Sequence, residues 1–482
     1  MSTLHRRPGV IIAALAFAGM GASFMQTIVI PIQSELPELL NAGRASTAWV
    51  VTITLLVSAI CTPISGKLGD MYGKRRVAIV LLTLLVAGSV VAALSFTVVP
   101  LIVGRGLQGT GMGVIPLGIS ILRDTIPPKR LGSAIALVSA TLGVGGALGL
   151  PLSAFVTEHF DWHVLFWVAT GIGVLSLVFV VAVVPPSVKV SGGRLDLVGV
   201  LGLSVGLVGL LLAVSRGNDW GWNSVYTLGC LIGGSCVLLA WGWFELRVDN
   251  PLVDLRVSAR SPVLVTNLAS VAMGFALFSS SIVFPQLLQL PVATGGMGLT
   301  LQQASFVLMP AGLAMLAMSP VAGRLERRIG AKPLLIAGGV IIAVGYSGAV
   351  FFDVAVWHVA LVNLLIGVGI GLGFAAMPTL IMAAVPETET GAANGLNTLM
   401  RGLGTSFAAA VIAMILTRSS TTVAGIAVPS AAGFDLAIGC GLVAAVTCAA
   451  IATFIPKSVA HLEEHPALPD EVLRQGVGTG AG

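Results

Sequence analysis

Charged residues are scarce in this chain of 482 residues: they make up 9% of it, while hydrophobic residues make up 56%. The mean hydropathy is +1.00, whereas about a quarter of the residues in an average soluble domain are charged. An ordinary soluble protein is therefore excluded. Cysteines are few and show no CxxC spacing, so neither a disulfide framework nor a metal site is predicted. They are Cys61, Cys230, Cys236, Cys440 and Cys448.

Sequence motifs of catalysis are also missing. The chain has no G-x-x-x-x-G-K-[ST] loop, so ATP-driven transport by this chain is not expected. It has no H-E-x-x-H motif and no Ser/His/Asp set within its apolar segments. We therefore predict that the protein is not an enzyme and that it holds no metal and no cofactor.

Long apolar segments recur along most of the chain. Each has about 20 residues, enough for a helix to cross a hydrocarbon core about 30 Å thick. Because only helices and closed barrels satisfy backbone groups in lipid, the sequence predicts an all-α polytopic membrane protein with 14 transmembrane helices. The segments are residues 9–32, 45–66, 77–97, 99–122, 132–156, 163–184, 196–215, 225–246, 262–287, 301–323, 333–352, 355–378, 391–416 and 432–455.

Basic residues are distributed unevenly between the two predicted sides. Of the 25 Lys and Arg residues, 20 fall in the loops and tails on the side of the N-terminus. The opposite side has Arg44, Arg216 and Arg418, while Arg105 and Arg401 lie inside helices. The positive-inside rule then predicts a multi-pass protein of the plasma (inner) membrane with both termini in the cytoplasm. The net charge of +5 therefore reflects topology, and no nucleic-acid partner is expected.

The sequence repeats itself. Residues 66–73 and 323–330 both read G-[KR]-L-x-x-x-x-G beside a basic cluster, 257 residues apart, and glycines of predicted helices 5 and 13 recur at a spacing of 259. Two six-helix units with two inserted helices explain both offsets. Parallel repeats of this kind place a substrate path between the halves. The predicted domains are an N-terminal bundle 1–186, inserted helices 187–260, a C-terminal bundle 261–456 and a cytoplasmic tail 457–482.

Several motifs carry a family resemblance. The loop 66–76 resembles the signature loop of the major facilitator superfamily, and 101–109 resembles its helix 4 motif with Arg and Gln three apart. Other segments resemble its fourteen-helix drug:proton antiporter branch, namely 143–151, 161–166, 245–254 and 397–404. The resemblance implies the major facilitator fold, alternating access between the two membrane sides, and the proton gradient as the energy source.

Two departures from the branch concern proton coupling. Met25 stands where the branch usually has an aspartate in helix 1. In helix 5 the Gly-Pro-x-x-Gly-Gly pattern is replaced by Gly-Leu-Pro-Leu-Ser-Ala at 149–154. All 20 acids lie in loops, in tails or near helix ends, although a proton carrier usually needs a buried carboxylate or histidine. The remaining candidates for the proton carrier are Asp70, Glu35, Glu38 and Asp435.

A conformational latch is predicted at the repeated loop. In this interpretation Asp70 accepts hydrogen bonds from a helix end and a nearby arginine, and so closes the cytoplasmic side. The alternative, a merely solvated loop, is disfavoured by the repeated glycine frame. The predicted latch residues are Gly66, Asp70, Gly73, Lys74, Arg75, Gly323 and Gly330.

A second set of residues is predicted to line the pathway. Arg105 is either a hydrogen-bond hub for neighbouring carbonyls or a group in direct contact with substrate or proton, whereas a structural role is favoured for Arg401. Each methionine and amide could equally be packing. The predicted substrate and proton pathway comprises Met25, Gln26, Arg105, Gln108, Met112, Gln286, Asn363, Asn397 and Arg401. A helix-packing motif is predicted at Gly145, Gly149 and Pro151.

The sequence thus predicts a secondary active transporter that exports small apolar or amphipathic compounds in exchange for protons. Two alternatives stay open: a flippase for lipids or lipid-like molecules on the same fold, and a non-transporting membrane sensor or scaffold. The expected partners are a small-molecule or lipid-like substrate and membrane lipids, and the protein is expected to be a monomer.

Overall fold

The computed structural model describes residues 8–30, 32–33, 35–186, 195–351, 355–423 and 426–456. Within them lie 14 helices that are long and apolar enough to cross a membrane, which confirms the predicted number. The predicted tail 457–482 lies outside the described residues, as do residues 1–7 and 187–194. The helices are α1 Pro8–Thr27, α2 Trp49–Tyr72, α3 Lys74–Ala93, α4 Val98–Thr125, α5 Pro128–His159, α6 His163–Val183, α7 Leu197–Trp220, α8 Val225–Glu245, α9 Ser261–Gln289, α10 Leu301–Ile329, α11 Ala331–Phe351, α12 Val356–Met382, α13 Thr390–Arg418 and α14 Ala431–Thr453.

Shorter elements connect these helices. A 3₁₀ turn at Thr110–Gly113 interrupts the hydrogen bonding inside α4. A two-stranded antiparallel hairpin, β1 Ser420–Val423 and β2 Ile426–Pro429, joins α13 to α14 and pairs Ser420 with Pro429. The sequence did not predict this hairpin, but it leaves the all-α class unchanged. The remaining short helices are Leu36–Leu39, Arg44–Thr47, Leu255–Ser258, Val292–Thr294 and Glu387–Glu389.

Polar caps and glycines determine where several helices begin and end. Asp196 caps α7 by accepting from the N–H of Gly199, and such side chains satisfy donors that the helix cannot. Gly73 and Gly330, 257 residues apart, end α2 and α10 with φ of 101° and 86°. Because L side chains rarely adopt positive φ, the second glycine of the repeated loop is required by the same turn in both halves.

The helices form two bundles with an accessory pair. One apolar core joins α1 to α6, and the other joins α9 to α12 and α14 with part of α13. The halves meet where α2 packs against α13 and where α5 packs against α10. Inserted helix α7 contacts both α2 and α13 along this seam, and α8 packs on α7. We call the membrane side that carries the α2–α3 and α10–α11 loops the basic side.

Candidate gate and binding region

Asp70 lies at the basic-side end of α2 and faces the first turn of α13. It is 4% exposed. One carboxylate oxygen accepts from the N–H of Gly391 at 3.2 Å and the other accepts from the N–H of Ala392 at 3.0 Å. N–H groups of a first helical turn have no partner within their helix and carry partial positive charge. Asp70 therefore caps a helix that belongs to the other half of the protein.

Lys74 adds a buried cation to this contact. Its Nζ donates to Asp124 Oδ2 at 2.7 Å and to Thr390 Oγ1 at 3.2 Å, and lies 3.9 Å from Asp70 Oδ1. The lysine thus joins α3, α4 and α13 between two carboxylates. Sequence reasoning did not select Asp124 or Thr390. Its one available signal was that Asp124 directly follows an apolar segment in a chain with few acids.

Glycines bring α2 and α13 into backbone contact beside Asp70. A Cβ on Gly66 would lie 2.2 Å from the carbonyl oxygen of Gly391, and a Cβ on Gly395 would lie 2.8 Å from the carbonyl oxygen of Thr62. Both distances are shorter than a carbon–oxygen van der Waals contact. The first glycine of the loop is therefore needed for the close approach of the two halves.

The second repeat makes the corresponding contact between α10 and α5. A Cβ on Gly323 would lie 2.5 Å from the Cα of Ser133, so backbone approach is again close. The position equivalent to Asp70 is Arg327, which donates to the carbonyl oxygen of Lys129 at 3.3 Å and to Ser133 Oγ at 3.5 Å. Beside it Glu326 Oε2 is buried and has no hydrogen-bond partner in the described part of the chain. The glycines of the loop, called here the glycine frame, recur in both halves, but the charged residues beside them and their bonds do not.

Arg75, the remaining latch candidate, makes a bond within its own half of the protein. Its guanidinium donates to the carbonyl oxygen of Val181 at 2.7 Å, at the basic-side end of α6. This bond ties α3 to α6 within the N-terminal bundle. The acceptor of Arg75 is thus a helix C-terminus, where a cation is electrostatically favourable.

Arg105 is fully buried in the N-terminal bundle. It donates to the carbonyl oxygens of Met25 at 2.6 Å and Val50 at 3.3 Å, and to Gln108 Oε1 at 2.7 Å. Gln108 in turn donates to Ser89 Oγ at 2.8 Å. This network joins α1, α2, α3 and α4. Its contacts are those of the hydrogen-bond hub, one of the two roles that the sequence left open.

Arg401 is held much more loosely in α13. Its guanidinium lies 4.3 Å from the ring centroid of Phe374 on α12. Its one hydrogen bond within the described residues goes to Thr398 Oγ1 on the same helix, at 3.5 Å. The sequence favoured a structural role here. That role stays a prediction, and the sparse bonding leaves most of the five donors available to a ligand.

Buried amides lie near Arg401. Asn397 donates to Asn267 Oδ1 at 3.0 Å and to Ser270 Oγ at 2.6 Å, and so links α13 to α9. Sequence reasoning did not select Asn267 or Ser270, because neither has a distinctive motif. Asn363, which it did select, donates to the carbonyl oxygen of Val359 in its own helix.

The other predicted pathway residues are dispersed. Met25 is fully buried under Arg105, and Met112 is also buried. Gln26 is partly exposed and donates to Ser58 Oγ at 3.3 Å across α1 and α2. Gln286 lines a shallow pocket of about 260 Å³ with Thr417 at the end of the bundle away from the basic side. The structure therefore does not bring all nine predicted pathway residues into one site.

The predicted packing motif lies between α5 and α1. A Cβ on Gly145 would lie 2.6 Å from the carbonyl oxygen of Met20, and one on Gly149 would lie 2.0 Å from Thr27 Oγ1. Pro151 lies inside α5, which stays helical through it. Side chains at these glycines would push the two helices apart.

Comparison with known proteins places this geometry in a family. Residues 15–409 match the sequence model of the Major Facilitator Superfamily. The Multidrug transporter protein MdtP of Bacillus subtilis (strain 168) is 23% identical over 415 residues, which are 85% of this chain and 75% of MdtP. The Lincomycin resistance protein LmrB of Listeria monocytogenes (serovar 1/2a, strain ATCC BAA-679 / EGD-e) is 27% identical over 374 residues, covering 77% of this chain and 78% of LmrB.

Solved structures show the same fold. The human organic anion transporter MFSD10 aligns with a TM-score of 0.65 at 15% identity and covers 93% of this chain and 99% of its own. The proton:xylose symporter XylE aligns with a TM-score of 0.62 at 14% identity, covering 93% and 96%. The protein is thus a multi-pass membrane transporter and not an enzyme, and the chain belongs to the Major Facilitator Superfamily.

Proposed function

We propose that this transporter exports small apolar or amphipathic molecules by alternating access, in exchange for protons that move inward. The observation that carries the proposal is the hydrogen bonding of Asp70 to the first turn of α13. This contact joins the two halves only at their basic-side ends, so it favours one facing state of the transporter over the other.

The orientation follows from charge. Because the basic side carries most of the loop Lys and Arg residues, we assign it to the cytoplasm of a cell whose plasma membrane holds the protein. The close contacts of Gly66 with Gly391 and of Gly323 with Ser133 then close the cytoplasmic side. On this proposal, the arrangement belongs to the part of the cycle in which the cytoplasmic side is closed.

The class of substrate follows from the buried cations. Arg105 and Arg401 are buried with no carboxylate bonded to either within the described residues. A permanently charged cation would be repelled by an arginine in a site of low dielectric constant. We therefore expect neutral, zwitterionic or anionic amphiphiles. The names of the relatives, a multidrug transporter and a lincomycin resistance protein, favour drug-like compounds.

The energy source proposed is the proton gradient, without a bound cofactor. The resemblance of several segments to the drug:proton antiporter branch supports this energy source. We propose that the transporter acts as a monomer in direct contact with lipid, since α8 presents Tyr226, Ile232 and Leu239 to its surroundings.

Reconstitution into proteoliposomes with an internal pH dye tests the proposal. Drug-like substrates of each charge class are added under an imposed pH gradient, and Asp70→Asn serves as the matched variant. We expect substrate-stimulated proton movement by the parent protein and a large loss in the variant. Lipid flipping without such proton movement would identify a flippase. Absence of both activities, with a partner protein co-purifying, would identify a sensor or scaffold.

A further inference from the structure

The turn between α5 and α6, on the side away from the basic loops, contains a histidine bonded at both ring nitrogens. Asp161 Oδ1 contacts His163 Nδ1 and also accepts from the backbone N–H of His163 at 2.8 Å. His163 Nε2 lies 2.8 Å from the carbonyl oxygen of Ser95, which follows α3. The side chain of His163 is 17% exposed and that of Asp161 is 65% exposed.

Both neighbours of this imidazole are hydrogen-bond acceptors. A neutral histidine carries one N–H, and its other nitrogen presents a lone pair. In the neutral form, one of the two contacts would therefore set a lone pair against an oxygen. The imidazolium satisfies both contacts, because each nitrogen then donates. Trp162 and Phe96, with ring centroids 3.8 and 5.1 Å from that of His163, add aromatic faces that favour a cation.

The two ends of the α3–α6 pair are fastened by the same kind of bond. At the basic side Arg75 donates to the carbonyl oxygen of Val181 at the end of α6. At the opposite side His163, the first residue of α6, donates to the carbonyl oxygen of Ser95. One donor is permanently charged, whereas the other is an imidazole that can gain or lose a proton. The helices α3 and α6 also pack against each other between these points.

We propose that His163 is a proton-binding site that fastens the α3–α6 pair at the membrane side away from the basic loops. Its ligand is a proton, held between the Asp161 carboxylate and the Ser95 carbonyl. Proton binding closes the bond from α6 to the α3–α4 turn, and proton loss opens it. On the orientation proposed above, this site senses the pH outside the cell.

The pH range follows from the groups that face the imidazole. The turn 94–97 contains no ionisable side chain, and the nearest titratable residues on α5 are Glu158 and His159. His159 bonds instead to the carbonyl oxygen of Phe155. The backbone N–H of His163, assisted by its ring, lowers the pKa of Asp161. Stabilisation by Asp161 is thus present above about pH 4 and lost as pH falls through its lowered pKa. Loss of the proton from His163 removes its second donated bond, so stabilisation by His163 falls as pH rises.

Thermal unfolding of the purified full-length protein at fixed heating rate, from pH 5 to pH 8.5, tests the proposal. We compare the parent with His163→Gln, which has one neutral donor group, and His163→Arg, which is permanently cationic. His159→Gln is the matched control, because His159, at the end of α5, bonds to a single acceptor. We expect the parent to lose about 1–3 °C of midpoint between pH 5.5 and 8.5 relative to His163→Arg. The unfolding midpoint of His159→Gln should change with pH as that of the parent does. The midpoint of His163→Gln should not show this loss.

A second measurement keeps the proposal testable where His163→Gln fails to fold. Nitrogen-15 histidine labelling should give, at pH 6, a signal from an imidazole with both nitrogens protonated that is absent from His163→Arg. A neutral imidazole at His163 at that pH would overturn the proposal. So would a pH dependence of the midpoint that is the same in His163→Arg as in the parent.

Discussion

The two halves of this transporter share a backbone frame but differ in the charges placed on it. In the N-terminal half Asp70 receives two backbone hydrogen bonds, and Arg105 donates to two carbonyl oxygens and a glutamine. At the position equivalent to Asp70 in the C-terminal half, Arg327 donates to a carbonyl oxygen at 3.3 Å, and beside it Glu326 Oε2 is unbonded within the described residues. We infer that the glycine frame allows the helices to approach closely in both halves. The charged residues then determine how stable each closed contact is.

Buried arginines show the same difference. Arg105 uses its planar fork to join three helices, so the N-terminal bundle depends on it as an internal tie. Arg401 contacts a ring and one hydroxyl. A cation with few bonds can exchange partners at small cost, whereas one with a full set cannot. We infer that the N-terminal half is the more rigid one and that the C-terminal half adapts to ligands.

The largest effect is expected when Gly66 or Gly323, the glycines at the close contacts between the halves, is replaced by alanine. The two substitutions should have similar effects. Gly66→Ala places a Cβ 2.2 Å from a backbone oxygen, and Gly323→Ala places one 2.5 Å from a backbone Cα. Overpacking costs about 1–3 kcal/mol, or about 5-fold to 150-fold in the population of the closed state. Both variants should lose substrate transport in proteoliposomes to a similar degree.

Gly348→Ala is the control for these variants, because nothing lies within 4 Å of the added Cβ. It should transport at the parental rate. If Gly66→Ala lost transport and Gly323→Ala did not, only one of the two contacts would need to close. The two glycine frames would then not be functionally equivalent.

Removal of the charges is expected to affect the two halves unequally. Asp70→Asn keeps the shape but replaces one acceptor oxygen with a donor that faces backbone N–H groups. Loss of a hydrogen bond to a charged group costs about 1.5–3 kcal/mol, enough to shift the facing equilibrium about tenfold or more. Arg327→Gln, exposed and bonded at longer distances, should change transport by about twofold or less. Parental transport by Asp70→Asn would show that the contact of Asp70 with α13 does not gate transport.

The difference between the repeated glycines and the unequal charges also explains which features could be predicted from the sequence. Apolar segments of spanning length and the 257-residue repeat predicted the number of helices, because both depend on spacing along the chain. The bonding of Asp70 to a helix end is consistent with the predicted latch, whose gating role stays a prediction. Asp124, Thr390, Asn267 and Ser270 could not be selected, since their roles arise only when distant helices meet.

Substitution of the two buried arginines sharpens the comparison further. Arg105→Ala leaves two carbonyl oxygens and Gln108 without their donor, so we expect a lower thermal midpoint together with loss of transport. Arg105→Lys should restore little, because a point charge cannot replace a planar fork. Arg401→Ala should retain the parental midpoint within about 2 °C and lose transport of anionic substrates more than of neutral ones.

Uptake assays with one anionic and one neutral substrate, paired with thermal unfolding of each variant, distinguish these outcomes. Unfolding of Arg401→Ala at a markedly lower temperature would restore the structural role that the sequence favoured. Robust transport of a dicationic dye by the parent would contradict the expected charge preference of the site.

The smallest effect is expected at Glu326, the acid nearest to the equivalent of Asp70. Its Oε2 is buried beside α5, where a Cβ on Gly132 would lie 2.8 Å from it, and it has no hydrogen-bond partner within the described residues. An acceptor that makes no bond loses none when its charge is removed, and burial favours the neutral form. Glu326→Gln preserves the volume and removes the charge. We therefore expect transport within about twofold of the parent and an equal or slightly higher midpoint. A loss as deep as that of Asp70→Asn would mean that the second contact closes through its own carboxylate, and the halves would then be equivalent in charge as well as in frame.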